Sequence, residues 1–178
     1  MKSGKYHRRS IRLRGYDYTQ TGLYFVTVCT QNKECLLGEI KNGIINSTRF
    51  GSIVQYAWYN ITKYFQCVTL DEFCLMPNHI HGIIIVNDFA ESDCRGEVTS
   101  PLLRPTLGQI IAYFKYQSTK NINIIRNSPG VKFWQRNYYE HIVRNNHELR
   151  SLREYIMNNP IKWTIDKENP KARNTVLL

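Results

Sequence analysis

Two strand-forming runs within residues 68–86 meet at Met76-Pro77-Asn78, and no other feature restricts the fold of this chain as strongly. Proline has no amide hydrogen to give to a ladder, so a central strand cannot run through it, and a turn or sharp corner is expected there. The run after the corner, His79-Ile80-His81-Gly82-Ile83-Ile84-Ile85-Val86, is mostly apolar and β-branched. An earlier run, Leu23-Tyr24-Phe25-Val26-Thr27-Val28-Cys29, has the same character and reads as another buried strand.

Helical spacing appears between and after these runs. Ile53, Val54, Ala57, Trp58, Ile61 and Phe65 place one apolar stripe along residues 50–65. Two short strands, residues 35–40 and 43–46, precede that helix, with Lys41-Asn42 as the turn between them. Residues 89–105 mix Asp, Ser, Gly, Pro and charges and read as an exposed loop. Thr106 opens a second helix with Leu107, Ile110, Ile111, Phe114 and Ile122 facing inward. After the turn Asn127-Ser128-Pro129-Gly130, residues 133–143 are strand-like. Asn145 and Glu148 suit a capping box opening a last helix through Leu149, Leu152 and Ile156, which Pro160 stops. The economical arrangement is an α+β domain over residues 1–165, one antiparallel sheet with helices on one face. Residues 166–178 read as a polar, loosely held tail. At 178 residues and 42% hydrophobic, with no internal repeat, the chain suits one packed core.

The formal net charge is +10, from 24 Lys and Arg against 14 Asp and Glu, which favours an anionic partner. Much of the excess comes early: Lys2, Lys5, Arg8, Arg9, Arg12 and Arg14 all precede the first acid, Asp17. Tyr6, His7, Tyr16 and Tyr18 are interleaved with them, so residues 1–20 are expected to be a basic arm that grips nucleic acid. The five cysteines are odd in number and lack a C-x-x-C pair, which argues against a disulfide framework or a structural zinc cluster. Met1 opens a polar, basic segment, and the longest strongly apolar run, residues 83–86, is far too short to span a bilayer. A soluble protein of a reducing compartment, most simply the cytoplasm, is expected, with no membrane partner.

Two pairs of residues carry the chemistry. On a strand His79 and His81 project to one face and Ile80 to the other. Two neutral imidazoles side by side make half a site for a divalent metal, although two separately satisfied histidines would give the same pattern. Tyr155 and Asn159 are four residues apart in the last helix and share a face. Tyrosine can attack phosphorus, and the Asn159 carbonyl can serve as a third metal ligand beside two histidines. The plainer alternative is that Tyr155 borders the apolar stripe and Asn159 ends the helix before Pro160.

Taken together, Arg12-Leu13-Arg14-Gly15-Tyr16-Asp17-Tyr18, Tyr24-Phe25-Val26-Thr27, Met76-Pro77-Asn78-His79-Ile80-His81, Phe133-Trp134-Gln135-Arg136-Asn137-Tyr138-Tyr139-Glu140-His141 and Tyr155-Ile156-Met157-Asn158-Asn159-Pro160 resemble the REP-associated tyrosine transposases. These are relatives of the single-tyrosine HUH transposases of small insertion sequences. The resemblance runs over residues 8–163. It implies a ferredoxin-like (RRM-like) fold, with the histidine pair on a central strand and the nucleophile on a C-terminal helix laid against the sheet. By motif, His79 and His81 match the metal-binding histidines, Tyr155 the nucleophile and Asn159 the position that completes the metal site. The implied cofactor is Mg²⁺ or Mn²⁺.

The implied activity is that of a single-stranded DNA endonuclease and transesterase, working through a 5′-phosphotyrosine intermediate in DNA transposition. Its implied target is the single-stranded flank of a palindromic, REP-like hairpin. Lys5, Arg8, Arg9, Arg12, Arg14 and Tyr16 are placed on that DNA, with Lys132 and Arg136 as further contacts. No P-loop pattern is present, in keeping with strand rejoining that needs no nucleotide cofactor. The rival reading is a catalytically idle hairpin DNA- or RNA-binding module on an RRM-like sheet, but the RNP pattern is missing and the histidines would have no task. A zinc deaminase would need glutamate where His81 stands and a P-C-x-x-C that the chain lacks. Monomer and homodimer both remain open.

Overall fold

Side chains from Tyr24 to Val28 are all buried, so the strand they form, β1 (Gly22–Cys29), needs cover on both faces and both edges. In the computed structural model, which describes residues 16–18, 20–88 and 105–172, it has all four. Short strands β2 (Gly38–Lys41) and β3 (Ile44–Ser47) form a separate hairpin, followed by α1 (Arg49–Tyr59) and one further turn, α2 (Ile61–Tyr64). Next come β4 (Val68–Leu75), β5 (His79–Val86), α3 (Leu107–Ile125), β6 (Tyr139–Val143) and α4 (Asn146–Asn158). The main sheet is antiparallel in the order β4-β5-β1-β6. With α1 and α3 as its crossovers this is the β-α-β-β-α-β order of a ferredoxin-like fold. No helix among the described residues is long and apolar enough to cross a membrane.

The corner at Met76-Pro77-Asn78 forms as expected. It is closed by Met76 N donating to the carbonyl of His79 at 2.9 Å, while Pro77 offers its carbonyl to Leu37 N. Helix starts also follow the local chemistry. Thr106 and Gln109 exchange a full capping box, and Asn145 accepts from the amide of Glu148.

The expectation of helices on one face holds for α1 and α3 and fails for α4. Tyr24, Val26, Val28, Ile80 and Ile84 pack toward Val54, Trp58, Ile110 and Phe114 on one side. Phe25, Ile83 and Val143 join Cys74, Met76 and Ile156 of α4 on the other. Apolar residues at consecutive strand positions demand two covered faces, and α4 supplies the second.

Three local expectations also shift. The hairpin turns at Asn42-Gly43, both left-handed (φ 53° and 75°), one residue later than Lys41-Asn42. Asn60 divides the helix expected over residues 50–65. The strand expected over residues 133–143 is shorter, because Trp134 makes only an isolated bridge to Thr30. Beyond it the carbonyls of Gln135, Arg136 and Asn137 turn to Lys115 Nζ at 2.9, 3.3 and 3.2 Å. Of the loop expected at residues 89–105, only Pro105 is among the described residues.

Gly82 faces the α1 side directly under Trp58, where a Cβ would run into the indole ring. Trp58 is fully buried and wedged against Phe73 and Phe114. Gly82→Ala should therefore cost about 1–3 kcal/mol through overpacking. Urea unfolding would show a lower midpoint, and an unchanged midpoint would mean that the indole yields freely.

Candidate active site

The pairing of β1 with β5 puts Cys29 opposite His79 and Thr27 opposite His81, so both imidazoles leave the sheet on the α4 side. Each is held by its inner nitrogen. Asn78 donates through Nδ2 to the carbonyls of Lys33 (3.0 Å) and Glu168 (2.8 Å), which leaves its Oδ1 to accept from His79 Nδ1 at 2.8 Å. Thr27 Oγ1 lies 2.8 Å from His81 Nδ1 and accepts in the tautomer that matches His79. In that tautomer the two Nε2 atoms, 3.0 Å apart, carry the lone pairs that a metal ion would take up. Phe25 stacks on the His81 ring, with centroids 5.4 Å apart, and stops it turning.

α4 brings Tyr155 to this pair. Ile156 is buried in the lower core, and Arg153 grips Asp71 with Nε and Nη2 at 3.0 and 2.7 Å from Oδ2. Asp71 stands at the irregularity where the β4–β5 register shifts between Leu70 and Phe73. Tyr155 is 40% exposed, and its hydroxyl lies 3.5 Å from His81 Nε2. One turn later Asn159 ends the helix, almost fully buried, and its Oδ1 has no hydrogen-bond partner among the described residues. A buried carbonyl oxygen left unpaired is costly unless something at the site takes its lone pairs.

Beyond Pro160 the chain folds back over the histidines. A 3-10 turn at Trp163–Ile165 leads to Asp166, whose carboxylate lies within 4.8 Å of the ligand nitrogens of both His79 and His81. Glu168 pairs with Lys33 at 2.5 Å, and Asn169 is buried, donating to the Trp163 carbonyl at 2.8 Å. The expected loosely held tail is thus anchored over residues 166–172, and a boundary at 165 would cut through the site. Hydrogen bonds to Asn78 and Trp163 are the physical reason.

The donor set fits a divalent cation. Two nitrogens bound at right angles to one ion at about 2.1 Å stand about 3.0 Å apart. The facing imidazoles, the Asp166 carboxylate and the unpaired Asn159 oxygen are all ligands such an ion accepts.

Comparison with known proteins places the chain. No family model matches it. A Haemophilus influenzae protein of uncharacterised function is 40% identical over 172 residues, covering 93% of this chain and 94% of its own length. A second protein of that organism, provisionally named a REP-associated tyrosine transposase, is 27% identical over 146 residues, covering 82% of this chain and 74% of its own. A solved structure of a REP-associated tyrosine transposase bound to a REP hairpin shares the fold with a TM-score of 0.57. Its sequence identity is 21%, over 86% of this chain and 73% of that one. The chain thus shares its fold with a REP-associated tyrosine transposase and is similar in sequence to a protein provisionally given that name.

Burial pushes both histidines, Tyr155 and Asp166 toward their neutral forms. His81 is lowered to about 3, mainly by burial, with Lys167 adding to the effect. His79 is lowered well below its ordinary value by burial, then by His81, Lys33 and Lys167. Burial raises Tyr155, the Asn159 side chain opposes that rise, and Asp166 and Glu168 reinforce it. Asp166 is itself raised, again chiefly by burial.

The other residues picked out from the sequence lie elsewhere. Tyr16 packs on Tyr18 and Tyr24, its hydroxyl 3.3 Å from that of Tyr24, on the α1/α3 face and at the far end of β1 from Cys29. Lys132 and Arg136 are exposed on the segment between α3 and β6, outside the histidine cluster. Lys5, Arg8, Arg9, Arg12 and Arg14 fall outside the described residues. Sequence reasoning missed Asn78, Thr27 and Asp166. Asn78 adjoins the H-x-H pair and could have been noticed, whereas nothing local marks Asp166.

The depressed histidines tie stability to pH. Their folded-state values lie below the ordinary 6.5, so the unfolded chain binds more protons as the pH falls through that value. In EDTA the unfolding free energy from urea titration should drop between about pH 7 and about pH 5, by on the order of 1.4 kcal/mol per pH unit for each histidine kept neutral. His79→Gln with His81→Gln should flatten this slope. An equal slope in that variant would show that other groups set it.

Proposed function

We propose that this chain cleaves and rejoins single-stranded DNA beside a palindromic hairpin, with Tyr155 as nucleophile. The observation that carries the reading is the 3.5 Å approach of the Tyr155 hydroxyl to His81 Nε2 within one chain, beside a second imidazole 3.0 Å further on. Its kinship and its shared fold with the REP-associated tyrosine transposases support the same reading. A nucleophile and histidine pair from one chain favour a site complete in the monomer.

The Oη of Tyr155 forms a bond to the scissile phosphorus as the bond to the 3′ oxygen breaks. The phenol proton passes to water at the exposed mouth of the site, and the departing oxygen takes a proton from water to leave as a free 3′-hydroxyl. A 5′-phosphotyrosine link remains, and attack by another 3′-hydroxyl reverses it without a nucleotide cofactor. His79 and His81 would hold Mg²⁺ or Mn²⁺ with Asn159, Asp166 or both. When bound, that cation polarises a phosphate oxygen and offsets its developing charge. Asn78 and Thr27 keep the imidazoles oriented for this. Arg153 on Asp71 keeps α4, and so Tyr155, against the sheet. Contacts to the DNA fall to the basic residues, with Lys132 and Arg136 on the described surface and Lys5, Arg8, Arg9, Arg12 and Arg14 beyond it.

Tyr155→Phe should abolish the covalent protein–DNA adduct on a denaturing gel while hairpin binding persists. Adducts surviving in this variant would remove Tyr155 from the chemistry. Wild-type protein that binds the hairpin but never forms an adduct, with Mn²⁺ supplied, would instead be the idle binding module.

The third ligand can be identified separately. Asp166→Asn and Asn159→Ala should each weaken Mn²⁺ binding, followed by electron paramagnetic resonance of the free ion, by about tenfold or more. A variant that leaves the affinity unchanged excludes that residue from the metal site.

A further inference from the structure

A groove of about 870 Å³ opens between the C-terminal half of α3 and the segment that returns from it to β6. Its far wall is bolted in place. Lys115 Nζ donates to the carbonyls of Gln135, Arg136 and Asn137, and Trp134 Nε1 donates to Ser118 Oγ at 2.9 Å. Asn123 Nδ2 and Arg126 Nη2 both donate to the Val131 carbonyl at 3.0 Å. A groove fixed this way is formed before any ligand arrives, which lowers the cost of binding.

Its lining pairs apolar surface with positive charge. Tyr116 is 62% exposed and Val131 47%, and Trp134 closes the floor. Lys120, Lys132 and Arg136 stand exposed around the rim, no acidic residue lines the groove, and no carboxylate among the described residues pairs with these three. Apolar and aromatic surface between unpaired cations suits unstacked bases on a phosphate backbone. A duplex hides its base faces and would use only the cations.

The groove also has a defined place relative to the histidines. Trp134 bridges Thr30, and Gln135 N donates to the carbonyl of Cys29, the residue paired with His79. Its wall thus continues the end of the sheet at which His79 stands.

We infer that this groove binds single-stranded DNA, seating bases on Tyr116 and phosphates on Lys120, Lys132 and Arg136. The inference rests on the strand-cleaving reading for why single strands are present, but binding can be measured in EDTA without chemistry. Fluorescence anisotropy with a labelled oligothymidylate should show about tenfold weaker binding for Tyr116→Ala. Lys120→Glu with Lys132→Glu should weaken binding further and shrink its salt dependence, while a blunt duplex should discriminate less between wild type and Tyr116→Ala. These side chains are exposed, so thermal unfolding should match wild type.

Photocrosslinking of wild-type protein to an iodouracil-substituted strand, read by mass spectrometry, should label Tyr116. Crosslinks confined to other surfaces, or unaltered single-strand affinity in both variants, overturn the inference. Loss of binding to an oligouridylate with none to the DNA strand also overturns it, in favour of an RNA site. Tyr116→Ala should raise the strand concentration at which Tyr155 adduct formation is half-maximal. Adduct failure in wild type with normal groove binding would refute the cleavage reading alone.

Discussion

The antiparallel pairing of β1 with β5 is the constraint on which the other arrangements depend. It sets Thr27 beside His81 and Cys29 beside His79, so the strand that forms the middle of the sheet also supplies the partner that orients one imidazole. A shift of one residue would send both histidines to the α1/α3 face, into the space filled by Trp58 and Phe114. The packing of Trp58 against the bare backbone of Gly82 opposes such a slip, because only glycine at that position leaves room for the indole. Core packing on one face thereby holds the geometry on the other.

Asn78 extends this control beyond the sheet. Its three hydrogen bonds reach the 3-10 turn after β1, the first histidine and the segment after α4. Elements far apart in sequence meet on one buried amide, so Asp166 and His79 are positioned by the same side chain. Losing that amide would strand two carbonyls and a ring N–H in a buried place, each with a desolvation cost of about 1–3 kcal/mol. On the proposed reading, the asparagine of the M-P-N-H-x-H motif therefore serves position where the histidines serve chemistry.

Much of this arrangement can be traced to local sequence. The proline corner, the paired imidazoles, the Thr106 and Asn145 caps and the four-residue step from Tyr155 to Asn159 each follow from chemistry within a few residues. Continuous apolar runs in β1 and β5 also carried the signal for two covered faces, which an expectation of helices on one side overlooked. What could not be read locally comes from long-range meetings. Asp166 sits in a stretch with no periodicity, and only the return of the chain over Trp163 brings it near the histidines. Residues 135–138 look like strand by composition, yet Lys115 from α3 captures their carbonyls and bends them out of the ladder.

The charge distribution divides the labour between surface and site. The chain carries a formal net charge of +10, yet the cluster around His79 holds two neutral imidazoles, a neutral phenol and a carboxylate whose protonation burial favours. These neutral groups offer a phosphodiester no positive charge of their own, leaving Lys33 and Lys167 as the cations beside them, and Asp166 would repel the phosphodiester when ionised. On the proposed reading, attraction of DNA falls largely to exposed cations such as Lys120, Lys132 and Arg136, which are spaced along a groove rather than gathered at Tyr155. A divalent cation bound among these donors would reverse the local balance, favouring the ionised forms of both Asp166 and Tyr155. On the proposed reading, the metal and the strand would each make the site more favourable for the other.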